Sequence, residues 1–415
     1  MKGGVSGTVS VPSSKSILQR YMIGALLADG ETRLEKVFHC DDSHSCLAAI
    51  QSLGAKCLEA NVTLLIEGLG GMLNSETSFI NCGQSGFALR VLTSIATLSP
   101  SEIALTGSGS LLRRPVDSLE KIFPLLNVSC KTNQGFLPVK VKGPVQYKDI
   151  SIDGSLSSQF LSGLLMIYPL AKEDHIIEVS NLASKQYIDL TLQVMKEFKV
   201  EVDNNAYRKF FVRGNQSYKG CNAKVEGDWS AASFMLVAGA VAGEIEISNL
   251  SMNSLQPDKR IVDVLRETGA QVLTNTDSIK VRKGSLEPFS FDATDCPDLF
   301  PPLVALAVNC NGISELTGVE RLIHKESNRA LALQQEFSKL NEGIISIEGN
   351  KMIINGGRQL KSAIVNSHND HRIAMSLAIA GLNVDGGIMI NGSEAVSKSY
   401  PDFFIQLTQL SILKK

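Results

Sequence analysis

Five times along this chain a helical run ends in glycine or a short polar break, and a strand, a turn and a second strand then close on glycine. The copies are "LGAKCLEANVTLLIEG", "LNVSCKTNQGFLPVKVKG", "FKVEVDNNAYRKFFVRG", "TGAQVLTNTDSIKVRKG" and "NEGIISIEGNKMIINGG". Their closing glycines, Gly68, Gly143, Gly214, Gly284 and Gly357, lie 75, 71, 70 and 73 residues apart. Asn61, Asn133 with Gln134, Asn204 with Asn205, Asn275 with Thr276, and Gly349 with Asn350 supply turn chemistry between alternating strands, so each copy reads as a hairpin preceded by a helix. Further helical patterns at 15–28, 41–53, 85–98, 115–126, 157–170, 184–198, 228–242, 257–268, 298–309, 326–340, 370–382 and 398–411 place about two helices in each period. A unit of this length exceeds the common solenoid repeats, and its recurrence points to symmetric assembly. The sixth copy has its last helix but no hairpin before Lys415, and the N-terminal strand "GTVSVP" is expected to supply the missing piece. The prediction is an α/β chain of two pseudo-threefold domains, 15–226 and 1–14 with 227–415, with crossings near Ser14 and Gly227.

Composition narrows the partners. A net charge of -2 over 415 residues, with no polybasic run, argues against nucleic acid and membrane surfaces and for a small ligand. The longest apolar stretch, "FMLVAGAVAG", is about half of the roughly 20 residues that a membrane span needs. Met1 leads into "KGGVSGTVSV" without an apolar signal core, so a cytoplasmic protein is expected. The eight cysteines show no CxxC or CxxH pairing and are expected to be reduced and structural, and neither metal nor cofactor is expected.

"VPSSKSILQR" (11–20) has the Lys-Ser of a phosphate-binding P-loop but Ser14 and Ser10 where that loop needs glycine. The residues after Lys15 still read as a helix, with Ser13 or Ser14 suited to cap it. Helix N-terminus, hydroxyls and ammonium together suit a phosphate site of another kind.

Charged motifs recur at helix starts: "SSKSILQR" (13–20), "CGQSGFALR" (82–90), "LRRPVDSL" (112–119), "SSQF" (157–160), "CPDLFPP" (296–302), "HKESNR" (324–329), "NDHR" (369–372) and, more weakly, "SKSYPDFF" (397–404). Singly each has a structural reading: Asp298 and Ser157 as plain caps, Glu326 with Arg329 as an exposed i,i+3 pair, His371 as a packed imidazole. Together, in this order and at these separations, from Lys15 to about Phe404, they resemble the 5-enolpyruvylshikimate-3-phosphate synthase family, the 3-phosphoshikimate 1-carboxyvinyltransferases.

That resemblance implies an inside-out α/β barrel fold, two domains each of three βαβαββ units, with the active site in the cleft between them. It implies transfer of the enolpyruvyl group of phosphoenolpyruvate to the 5-hydroxyl of shikimate 3-phosphate, with release of phosphate. Two such substrates bring roughly five to six negative charges, which calls for fixed cations. The family's phosphoenolpyruvate contacts fall on Lys15, Gly86, Arg114, Gln159, Arg329, Arg372 and Lys398. Its shikimate 3-phosphate contacts fall on Lys15, Ser16, Arg20, Ser157, Ser158, Gln159, Ser184, Asp298 and Lys325, with Tyr187 nearby. Asp298 is implied to handle the hydroxyl proton, and Glu326, with Lys15, the proton on the methyl carbon. The family expectation is a monomer.

Some residues depart from the family pattern. Gln84 stands for Asn, Phe87 for Thr, Val91 for a frequent Pro, Asn328 for Asp and Arg321 for a frequent Asn. Phe87 is expected to shift the start of its helix, weaken phosphoenolpyruvate binding and lower sensitivity to glyphosate. It also motivates the alternative of an inactive or ligand-binding paralogue. Lys15-Ser16 and "SSQF" argue against the sister enzyme that acts on UDP-N-acetylglucosamine.

Overall fold

A computed structural model describes residues 4–73, 77–155 and 157–411. It carries six successive repeats. The first is β1 (Val5–Ser10), α1 (Lys15–Leu27), β2 (Glu31–Glu35), α2 (Asp41–Ser52), β3 (Lys56–Ala60) and β4 (Thr63–Glu67). The second is β5 (Phe79–Asn81), α3 (Gly86–Ala96), β6 (Glu102–Thr106), α4 (Ser118–Ile122), β7 (Ser129–Asn133) and β8 (Phe136–Lys142). The third is β9 (Ile150–Asp153), α5 (Ser158–Ile167), β10 (His175–Ser180), α6 (Gln186–Glu197), β11 (Val202–Asn205) and β12 (Lys209–Val212). The fourth is β13 (Asn222–Lys224), α7 (Trp229–Ala242), β14 (Gly243–Ser248), α8 (Ile261–Glu267), β15 (Gln271–Thr274) and β16 (Ser278–Arg282). The fifth is β17 (Ser290–Asp292), α9 (Phe300–Ala307), β18 (Ile313–Thr317), α10 (Arg329–Leu340), β19 (Ile345–Glu348) and β20 (Lys351–Asn355). The sixth stops at β21 (Ile364–Asn366), α11 (His371–Gly381), β22 (Met389–Asn391) and α12 (Phe403–Leu410), with no hairpin among the described residues.

All five expected hairpins form as antiparallel pairs. In the third, Asn204 and Asn205 end β11, and the turn falls on Ala206 and Tyr207, both left-handed with φ of 51° and 57°. The Asn204 side chain accepts from the Tyr207 N–H at 2.9 Å, which offsets part of that backbone strain.

Each hairpin belongs to a four-stranded sheet whose outer strand runs parallel to its neighbour. The first and fourth repeats exchange that outer strand: β1 pairs with β14, and β13 pairs with β2. The N-terminal strand therefore joins the C-terminal half in the fourth repeat's sheet, while β21 and β22 pair alone; toward the sixth repeat it makes an isolated antiparallel bridge, Val5 with Ser411 after α12. Contacts divide the chain into Ser13–Val225 and a second unit built from the segments ending at Pro12 and starting at Glu226. Of the residues assigned to that half from sequence, 1–3 and 412–415 lie outside the described residues.

In each unit the first helix of every repeat is inside and the sheets are outside. From Ala231 to Val241 every residue of α7 is buried, and α3 is buried from Ala88 to Ala96. Burying a Leu, Ile or Phe side chain contributes about 1.5–3 kcal/mol, so these inner helices dominate two separate cores, one per unit. The second helices are one-sided: α6 buries only Ile188, Leu190, Thr191, Val194 and Met195. The closing glycine lets the hairpin's end press on the inner helix. A Cβ at Gly68 would collide with the carbonyl oxygens of Ala25 and Ala28. In the fifth repeat that role falls to Gly356, against Ala307 and Cys310, one residue before the Gly357 that the spacing suggests. Thus the N-termini of buried helices become rigid mounts for side chains.

Candidate active site

The inner helices of residues 13–225 begin at Ser14, Ser85 and Ser157, and those of residues 226–415 at Asp228, just after Asp298, and at Asp370. Hydroxyl caps leave the positive helix ends open to an anion, whereas carboxylate caps neutralise them and are free to accept from cations. The two units therefore differ in the charge at their helix starts.

In the first unit, Lys15, Ser16 and Arg20 lie on the first two turns of α1. Ser14 is the N-cap but its side chain makes no capping bond, and Ser13 does not cap either. The Ser13 hydroxyl instead donates to the Lys36 carbonyl at 2.6 Å and accepts from Phe38 N–H at 2.7 Å, tying the helix start to the loop after β2. Lys15 Nζ reaches Asp42 Oδ2 at 2.9 Å. Arg20, 1% exposed, donates to Thr191 Oγ1, the Ser16 carbonyl and the Tyr187 carbonyl at 2.8, 2.8 and 3.0 Å. Burial without a carboxylate beside it pulls its guanidinium down to about 9, which marks a site suited to an outside anion. Ser184, left-handed at φ 57°, holds Tyr187 N–H through its carbonyl and so connects to Arg20.

Gly86 is the first residue of α3, whose cap Ser85 accepts from Ala88 N–H. A Cβ there would lie 2.7 Å from Arg114 Nη1 and 2.8 Å from Arg90 Nη1. Arg90 also donates to Gln159 Oε1 at 3.0 Å, so Gly86, Arg90, Arg114 and Gln159 form one group. Ser157 caps α5 by accepting from Gln159 N–H, and Ser158 is buried in its first turn. Ser85 caps α3 in the ordinary way, and the Phe87 ring lies over Arg20, 4.4 Å from guanidinium carbon to ring centroid.

In the second unit Arg329, 1% exposed at the start of α10, holds three carboxylates. Its Nε donates to Asp370 Oδ2 at 2.8 Å, Nη1 to Asp298 Oδ1 at 2.8 Å and Nη2 to Glu326 Oε2 at 2.5 Å. The Glu326–Arg329 pair is thus buried, not exposed. Asp298 also meets Lys325 at 3.4 Å and Arg372 at 3.1 Å, and Lys398 stands 3.7 Å from Glu326. Burial pushes the Asp298 carboxyl up, but Arg372, Lys325 and Arg329 outweigh it and hold the group well below the usual carboxylate range. Burial likewise lowers Lys325, partly offset by Asp298. Asp370 is fully buried, caps α11 through Arg372 N–H and accepts from Ser327. His371 is packed with Nδ1 3.7 Å from Asp370.

A model of the family "EPSP synthase (3-phosphoshikimate 1-carboxyvinyltransferase)" matches residues 1–407. The chain belongs to the EPSP synthase family. Among its relatives, the 3-phosphoshikimate 1-carboxyvinyltransferase of Clostridium acetobutylicum is 37% identical over 98% of this chain and 95% of its own. That of Clostridium perfringens is also 37% identical, over 98% and 96%. Among solved structures, EPSP synthase from Acinetobacter baumannii superposes with a TM-score of 0.83 at 24% identity, covering 99% of this chain and 97% of that one. The enolpyruvyl transferase NikO from Streptomyces tendae gives 0.77 at 14%, covering 98% and 95%. The six-repeat fold is the one these transferases share.

Three charged residues that contact candidate site residues have no assigned role in the sequence. Asp42 and Asp370 are acidic neighbours of residues that were recognised, and Arg90 lies inside a recognised motif. Their signal was present in "CDDSH", "NDHR" and "FALR", but only the fold shows which cation each one meets.

Proposed function

We propose that this enzyme carries out the reaction of its family: the enolpyruvyl group of phosphoenolpyruvate moves to the 5-hydroxyl of shikimate 3-phosphate, and phosphate leaves. The reaction belongs to the shikimate route to chorismate and the aromatic amino acids. The observation that carries the reading is the single guanidinium of Arg329 bound to both Asp298 and Glu326, two carboxylates in different surroundings.

In the addition step the 5-oxygen bonds to C2 of phosphoenolpyruvate. Its proton passes to Asp298, and the C3 methylene takes a proton delivered through Glu326. The tetrahedral intermediate then loses phosphate as its C2–oxygen bond breaks, and the methyl group returns one proton. Asp298 among three cations is a weak base on its own. Substrate carboxylate and phosphate groups compete for Arg329, Arg372, Lys325 and Lys398, and each cation they draw off raises the proton affinity of Asp298.

The same reading gives Lys15, Ser16, Arg20, Ser157, Ser158, Gln159 and Ser184 to shikimate 3-phosphate, and Gly86, Arg114, Gln159 and Lys15 to phosphoenolpyruvate. Phosphate suits Ser-capped helix ends and the carboxylate-free Arg20. In this reading the enzyme works as a cytoplasmic monomer without nucleic acid. No helix among the described residues is long and apolar enough to cross a membrane.

The test is phosphate release from the purified protein mixed with both substrates, beside Asp298→Ala and Glu326→Ala. Release lost by about 10²-fold or more in each variant supports the pair. A folded parent that binds shikimate 3-phosphate yet releases none would favour the inactive paralogue.

A further inference from the structure

Below the Asp298–Arg372 pair lies a carboxyl that the reaction as described does not use. Asp258 sits in a one-turn helix, Pro257–Arg260, ahead of α8 and is 2% exposed. The turn is docked on the start of α7: Gln256 Oε1 accepts from Trp229 N–H at 3.1 Å, and Gln256 Nε2 donates to the Gly227 carbonyl at 2.9 Å. Lys259 is turned away, its ammonium on the carbonyls of Met252 and Ser254 at 3.0 and 2.8 Å. Arg260 is turned away too, over the Phe291 ring and toward the Asp292 carbonyl.

Asp258 Oδ2 accepts from the Ser230 hydroxyl, and its Oδ1 is buried with no hydrogen-bond partner. Arg372 is in the matching condition. Its two terminal nitrogens are committed to Asp298, at 3.4 Å to the carbonyl and 3.1 Å to Oδ2, while its Nε is buried with no partner. The charged groups that act on Asp258 are Asp298, Arg372 and Asp228, and Cys296 feels Asp258 in turn. Asp298 pairs with the Arg372 guanidinium, and Asp258 feels that charge without pairing with it. Both do not ionise at the same cost, because burial penalises each charge and each repels the other. Asp298, with Lys325 and Arg329 as well, keeps its charge. Burial first, then Asp298, pushes Asp258 up to about 7.

We propose that Asp258 is a positioning residue that works through Arg372: ionised, it draws the guanidinium toward itself and lets Asp298 take up a proton; neutral, it leaves Arg372 wholly to Asp298. The proposal rests on the reading of Asp298 as the carrier of the hydroxyl proton. It adds a titrating group behind the reacting ones, in an element that no substrate contact implicates.

The sign of the effect is fixed by the raised proton affinity. In the unfolded chain Asp258 ionises near its ordinary value of about 4, so between there and about 7 the folded protein holds a proton that the unfolded chain has lost. Folding stability from this group therefore falls as pH rises through that window, and above it the buried charge is a standing cost. Asp258→Asn, which resembles the neutral acid, is expected to melt with the parent below about pH 4 and above it at about pH 8. In activity, the parent kcat with both substrates saturating is expected to rise between about pH 6 and about pH 8.5, and the ratio across that interval is expected to fall to about one in Asp258→Asn.

A uniform loss of activity and of melting temperature at every pH would make Asp258 a plain buried ion-pair partner and overturn the proposal. So would a parent-like rise in Asp258→Asn. Should that variant fail to fold, Ser230→Ala removes a hydrogen bond that favours the ionised form, and the rise in kcat is expected at higher pH. A rise left in place would count against the proposal. Asp298→Asn separates the two readings: if it keeps activity while Asp258→Asn still melts higher at about pH 8, the role of Asp298 has failed and the coupling of Asp258 to Arg372 survives.

Discussion

Arg329 Nη1 donates to Asp298 Oδ1 at 2.8 Å. The same planar group reaches Glu326 and Asp370, so one side chain sets the distance and the charge balance between the two proposed proton carriers. Arg329 is raised above even its ordinary value: burial opposes its charge, but Asp370, Glu326 and Asp298 together prevail.

A lysine at this position cannot replace three directed bonds, because an ammonium on a flexible stem is a point charge. Arg329→Lys is expected to lose about 10²-fold or more in kcat/KM and about 2–3 kcal/mol in stability, since it leaves Asp370 buried with a weakened partner. Steady-state kinetics and urea unfolding check this. Parent-like values in both would mean that the three carboxylates are held by other residues.

Gly86 has no Cβ where Arg90 and Arg114 converge. Gly86→Ala is expected to move both guanidiniums by a few tenths of an ångström and raise the KM for phosphoenolpyruvate by about tenfold, with stability nearly kept because side-chain ends can yield. An unchanged KM would remove this group from the phosphoenolpyruvate site.

Phe87 lies on Arg20, not on the backbone that approaches phosphoenolpyruvate. Losing a desolvated cation–π contact costs about 1–2 kcal/mol, so Phe87→Thr is expected to raise the KM for shikimate 3-phosphate by about five- to thirtyfold. The effect on phosphoenolpyruvate and on glyphosate inhibition is expected to be smaller. The opposite ranking, with glyphosate inhibition changed most, would restore the expectation drawn from the motif alone.

Asp298 lies well below the usual range, so its contribution to folding is present above about pH 4 and is lost as pH falls further, toward its folded value. Melting curves of the parent and Asp298→Asn are expected to differ most near neutral pH and to converge below about pH 4. A gap that stays constant down to about pH 2 would show that the pairing with Arg329, Arg372 and Lys325 contributes no net stability.

The sequence by itself determined what is local and periodic. Alternating strands around Asn61 and Gln134, helical runs such as 229–242 and a recurring closing glycine are written in neighbouring residues, because turn chemistry and side-chain period act over a few positions. The order of motifs from Lys15 to Lys398 then pointed to a family and, residue by residue, to a candidate site. Tertiary structure decided the rest. Which sheet receives β1 and which receives β13 depends on strands that meet more than 180 residues away from their own repeats. The pairing of Arg329 with Asp370 spans 41 residues, and Lys15 with Asp42 spans 27. Phe87 shows the limit most plainly: its motif suggested one substrate, but the direction of its ring is set by the packing of α3 beside α1. Asp258 had no signal at all in a linear reading, since an aspartate in a short turn is ordinarily a solvated cap. Only burial, which the whole unit imposes, turns it into a group that titrates near neutrality.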